Sequence, residues 1–117
     1  MNGPSAANGS SPSGKTLGDW RQEIDTLDTE ILRLLNQRAR VACELGAIKV
    51  ASGLPAYDGR REQQVLDRVC AGNQGPLRGE SVARIFRSII RESRRIGMEA
   101  MKEQKNRKET SVSAISE

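Results

Sequence analysis

"LLNQRARVACELGAIK", residues 34–49, reads as the interior of a helix with one residue out of place. Apolar side chains recur at alternating spacings of three and four through Ile24, Leu27, Ile31, Leu34, Val41, Leu45 and Ile48. That period belongs to an amphipathic α-helix. Position 38 lies on the same stripe, and it is an arginine. A permanent cation on a face meant for burial needs a route to water or an anion to meet.

Working outward, Thr16 can cap this helix with Asp19 in its first turn, and the pattern runs unbroken to "ASGLP" at 51–55. The helix then has about 33 residues and is ~50 Å long. Gly18 and Gly46 read as tolerated interior glycines, each costing about 1 kcal/mol of helix propensity. Asp58 opens a second, short helix, "GRREQQVLDRVCAG", with Glu62, Val65, Leu66 and Val69 on its inner face and Gly72 as its stop. A third starts near Glu80 or Ser81, with a stripe through Val82, Phe86, Ile89, Ser93, Ile96 and Ala100. No stretch alternates as a strand would, so the fold class is all-α: three helices, one long, one short and one medium. Residues 1–15, rich in Gly, Ser and Asn, read as a disordered tail, residues 16–104 as one helical domain, and residues 105–117 as a polar C-terminal tail.

The unequal lengths matter. A short second helix leaves much of the long stripe uncovered, and soluble chains rarely expose such a face. A second copy of the chain is expected to cover it, the plainer alternative being an antiparallel helical hairpin. With 117 residues and 36% hydrophobic content, the core of one chain alone is marginal as well.

Composition removes whole classes of chemistry. The chain has no histidine, which excludes a His general base, a Ser-His or Cys-His nucleophile and a His-based zinc site. There is no phosphate-binding glycine loop. Cys43 and Cys70 lack partners at metal-ligand spacing and read as small, reduced, buried hydrophobes. No apolar run is long enough to span a membrane and no signal-peptide pattern opens the chain, so the expected setting is cytoplasmic, with no membrane partner. The net charge of +4 points to an anionic partner.

Arg38 and Lys49, eleven positions apart, differ by about 20° around the helix and ~16 Å along it. Two long cations facing the same way can clamp a small anion over Leu35, Ala42 and Leu45. Arg21 falls on the same line but ~42 Å from Lys49, so it reaches the same ligand only from a second, antiparallel chain. Bland readings exist for each polar residue taken singly. Arg38 can snorkel or pair with Glu62, Lys49 and Glu62 can serve helix dipoles, and the Ser93 hydroxyl can bond back to its own helix.

Together these residues form a recognisable pattern. "WRQEIDTLDTEILRLLNQRARVACELGAIK", then "LPAYDGRREQQVL" and "IFRSIIRES", resembles the all-helical AroQ-type chorismate mutases over roughly residues 17–101. The resemblance rests on R-x-x-I-D-x-L-D, N-x-R, G-x-x-K and D-x-x-R-E in that order. It implies an intertwined homodimer with active sites built from both chains, and the Claisen rearrangement of chorismate to prephenate, which requires no cofactor, metal or proton transfer. By the same resemblance, Arg21 of a second chain and Arg38 hold the two substrate carboxylates. Lys49 donates to the breaking ether oxygen, and Glu62 accepts from the ring hydroxyl with the Asp58 backbone assisting. Arg61 shapes that end of the pocket, and Ser93 lies near the ring carboxylate.

One position departs from the pattern. Four residues after the matching serine the family usually carries a Gln or Glu that also contacts the ether oxygen, and this chain has Gly97. Gly97→Gln is expected to raise turnover, and both Gln and Ala there to add helix stability. Two relatives of the same reading remain: an isochorismate-pyruvate lyase of this fold, and a weak mutase completed by a shikimate-pathway enzyme partner. From another class, Arg84, Arg87, Arg91, Arg94 and Arg95 could form a nucleic-acid-binding flank. With only Trp20, Tyr57 and Phe86 as aromatics, there is no stacking platform to support it, and the flank reads as a solvated face.

Overall fold

The computed structural model describes residues 11–116, with side chains defined to residue 107 and at residue 109. Most of the expected N-terminal tail lies outside the described residues. Three helices follow in order: α1, Leu17–Ser52; α2, Gly59–Ala71; and α3, Gly79–Ser116. There is no strand among the described residues. None of the described helices is long and apolar enough to cross a membrane. α3 is the longest at 38 residues, where the sequence suggests a medium helix, and it continues through the polar stretch beyond 104.

The chain divides into two units, one ending at Asn36 and one beginning at Gln37. The first contains the start of α1, where Thr16 and Asp19 cap the helix reciprocally. The Asp19 amide donates to Thr16 Oγ1 at 3.1 Å, and the Thr16 amide donates to Asp19 Oδ2 at 3.0 Å. Two orphan donors are satisfied at once. The Thr16 backbone amide, and after it the Thr16 hydroxyl, hold the Asp19 carboxyl below its usual range. Within this unit Ile24, Leu27, Ile31 and Leu34 keep 49–59% of their surface exposed. The stripe that dictates the helix is therefore not buried by the rest of its own unit.

The second unit holds the core. Val65 and Leu66 of α2 meet Ile90 of α3, with Val69 and Phe86 packed around them. Val65, at 5% exposed, is the most buried of these. The inner face expected for α2 is the observed one. On α3 the buried line runs through Val82, Ile90 and Gly97, so the helix is turned slightly from the expected Ile89 line.

The reason for that rotation lies at the crossing of α1 and α3. A Cβ on Gly46 would lie 2.4 Å from the Gly97 carbonyl oxygen, and one on Gly97 would lie 3.1 Å from the Ala42 carbonyl oxygen. Gly46 is the only buried residue among those described in α1. It is thus a requirement of the packing and not a tolerated cost. α1 ends at Gly53, whose φ of +68° is a left-handed conformation that favours glycine, and the Leu54 amide returns to the Lys49 carbonyl at 2.8 Å. α2 begins on Asp58, whose Oδ1 accepts from the Arg61 amide at 3.0 Å.

Candidate active site

The glycine crossing and the Asp58 cap frame one cavity of about 290 Å³ within the second unit. That volume is close to the lower end, about 300 Å³, of small-molecule sites. α1 supplies Arg38, Val41, Ala42, Leu45 and Lys49, following the stripe that opens the sequence. Position 38 is an arginine on an apolar face because that part of the face lines a cavity. α2 and its cap supply Asp58, Arg61, Glu62, Val65 and Arg68, and α3 supplies Ile90, Ser93, Arg94, Gly97, Met98 and Met101.

Of the residues singled out from sequence, Arg38, Lys49, Asp58, Arg61, Glu62 and Ser93 are brought together here. Arg21 is not among the lining residues; it lies on the exposed start of α1 in the first unit. The Arg38 guanidinium donates to Ser93 Oγ. Ser93 is therefore an acceptor across the cavity, and Arg38 is not paired with Glu62 as its bland reading supposes. Lys49 Nζ donates to the Ala56 carbonyl at 3.1 Å, which ties it to the loop between α1 and α2. Glu62 pairs instead with Arg94.

Sequence reasoning misses Arg94 and Arg68. It leaves Arg94 on the solvated flank of α3, yet this residue follows the buried Ile90 by one turn. Arg68 completes the spacing Arg61, Val65, Arg68 down the inner face of α2. Both spacings are present in the sequence; for Arg94 the rotation of α3 at the glycine crossing makes the spacing decisive.

Charge is the dominant property of the cavity. Five cations, Arg38, Lys49, Arg61, Arg68 and Arg94, face two carboxylates, Asp58 and Glu62. Burial, and after it the like charges of Arg61 and Arg68, push the Arg38 pKa below its ordinary value. An anion in the cavity would offset the repulsion among these cations and give the buried guanidinium a partner. The described residues contain no cluster of His, Cys, Asp and Glu able to hold a metal ion.

An all-helical frame encloses a small, electropositive, partly apolar cavity whose charge and size suit a compact anion. The family model for chorismate mutase type II matches residues 20–98, and the chain belongs to that family. It is 49% identical over 72 residues to the bifunctional chorismate mutase/prephenate dehydratase of Neisseria gonorrhoeae, covering 62% of this chain and 19% of that protein. With the corresponding Aquifex aeolicus protein it shares 38% identity over 78 residues, covering 63% and 22%. The chain thus spans about a fifth of the length of these curated relatives. Among solved structures it is similar to a chorismate mutase from Thermus thermophilus, with a TM-score of 0.67, 37% identity, and coverage of 68% of this chain and 90% of that one. A chorismate mutase from Helicobacter pylori in complex with prephenate gives a TM-score of 0.69 at 33% identity, covering 74% and 94%.

Proposed function

We propose that this chain rearranges chorismate to prephenate in a homodimer whose two sites are each completed by the other chain. The observation that carries this reading is the cavity in which Arg38, Lys49, Arg61 and Arg68 remain in excess over carboxylate after Glu62 is paired. Chorismate is a small dianion, and its rearrangement shifts bonds within one molecule. Such a step can be accelerated by holding a reactive conformer and by placing donors where charge develops, without any group that titrates near neutrality. A chain without histidine is suited to it.

In this reading Arg38, hydrogen-bonded to Ser93, takes one substrate carboxylate with the fork geometry that suits arginine. Lys49 leaves the Ala56 carbonyl for the ether oxygen, where negative charge grows as the C–O bond opens. Glu62 receives the ring hydroxyl beside the Asp58 cap. Arg21 of a second chain supplies the other carboxylate contact. The exposed apolar face of α1 supports the dimer, since a face of that kind calls for a covering surface. Gly97 favours a modest catalyst that a shikimate-pathway enzyme partner would complete, because it leaves the family's third-helix contact without a side chain.

The test is direct. Purified protein should consume chorismate with prephenate as the identified product, while isochorismate is not cleaved to salicylate and pyruvate. A protein that binds but converts neither, alone or with the partner enzyme, would sink the proposal.

A further inference from the structure

Glu62 stands in the first turn of α2 and lines the cavity together with five cations, Arg38, Lys49, Arg61, Arg68 and Arg94. Among the described residues, Arg94 is the one that pairs with it. Arg94 Nη1 donates to Glu62 Oε2, with the two side chains 29% and 28% exposed. The same guanidinium lies over the Tyr57 ring, its Cζ 5.0 Å from the centroid, within the range of a cation–π contact. Arg94 is thus gripped at its face by the loop before α2 and at its edge by Glu62. The residue before it, Ser93, accepts from Arg38. Adjacent positions of α3 therefore hold two groups of opposite charge, one from α1 and one from α2.

We propose that Arg94 is a positioning residue: braced on Tyr57, it holds the Glu62 carboxylate at the cavity wall and keeps it from pairing with Arg38 or Arg61. The inference rests on the mutase reading of the cavity. A carboxylate without its own cation would bond to the arginines meant for the substrate and lower the positive charge offered to a dianion. Arginine suits the task because its planar guanidinium can lie flat on the ring while its edge presents several N–H donors in a fixed fork, a geometry that the compact lysine ammonium does not reproduce. The Glu62 carboxylate is then preset for a neutral hydroxyl, and the remaining cations are left for the anion.

The test is a double-mutant cycle in the 117-residue chain, with Arg94→Met, Glu62→Gln and the pair, read as kcat/KM for chorismate. Arg94→Met should lower kcat/KM roughly 10-fold on its own, and by less than about twofold when Glu62 is already Gln. Tyr57→Leu should give a smaller loss that also vanishes in the Glu62→Gln background, and Arg94→Lys should recover only part of the activity. Where Glu62→Gln turns over too slowly to measure, prephenate affinity by titration calorimetry reads the same cycle. If Arg94→Met does not fold, Arg94→Lys and Tyr57→Leu carry the comparison. An equal loss with and without Glu62, or no loss at all, overturns the inference. Wild-type protein that leaves chorismate untouched overturns the mutase reading and this inference with it, whereas an active wild type with an additive cycle overturns this inference alone.

Discussion

Arg38 concentrates the conflict between folding and function in one side chain. Its pKa is pushed down by burial and then by Arg61 and Arg68. A cation whose folded-state pKa lies below its unfolded value costs stability at every pH below the folded value, and the cost disappears only above the unfolded one. At neutral pH the full cost is present. Arg38→Met should therefore leave the melting temperature of the ligand-free protein unchanged or higher while reducing turnover by on the order of 100-fold or more. Thermal melts and chorismate kinetics on the same preparation check both halves, and a clear loss of stability would return Arg38 to a structural role. Lys49 is a different case, already bonded to Ala56 at 3.1 Å. Lys49→Met should reduce kcat more than it raises KM, because the charge is used mainly as the ether bond opens; steady-state kinetics separate the two.

At the scale of elements, the crossing of α1 and α3 decides what the cavity can be. Gly46 and Gly97 place one helix backbone directly on the other. Gly46→Ala would gain about 1 kcal/mol of helix propensity yet force apart backbones that leave a Cβ 2.4 Å from a carbonyl oxygen. Overpacking of this kind costs typically about 1–3 kcal/mol. A net fall in melting temperature is expected, and a rise would show that the crossing is loose. At 97 a Cβ would lie 3.1 Å from the Ala42 carbonyl oxygen, so the contact opposes the gain in helix propensity that Ala or Gln would bring there. Ala42 cannot retreat while Gly46 is locked one turn away, so Gly97→Ala and Gly97→Gln should both melt earlier than wild type. Any rate gain from Gly97→Gln must be read against that loss by differential scanning fluorimetry.

For the whole molecule, the apolar face of the first unit is the outstanding feature, with Ile24, Leu27, Ile31 and Leu34 all about half exposed. Light scattering at micromolar concentration should give twice the chain mass of 12.8 kDa. Chains carrying Arg21→Ala, mixed with chains carrying Lys49→Ala, should regain part of the activity each lacks, because one of the two shared sites in a mixed dimer is intact. Additive inactivity in the mixture, or a fully active monomer, would remove the shared site.

Much of this architecture is readable before any coordinates, because short-range physics dominates it. The 3-4 stripe, the Thr16 and Asp58 caps and the stops at Gly53 and Gly72 set three helices, and each depends on neighbours within about a turn. The set Arg38, Lys49, Asp58, Arg61, Glu62 and Ser93 is readable as well: Arg38, Glu62 and Ser93 interrupt apolar faces, Lys49 shares the direction of Arg38, and Asp58 and Arg61 follow from the resemblance to the family. What only the tertiary structure decided is which way α3 is turned. An arginine at the edge of an apolar stripe can snorkel outward or point inward with little local preference. The backbone contact of Gly46 with Gly97 resolves that ambiguity, because no propensity encodes how closely two helices approach. It carries Ile90 rather than Ile89 deepest into the core, and it brings Arg94 from the expected solvated flank to the carboxylate of Glu62.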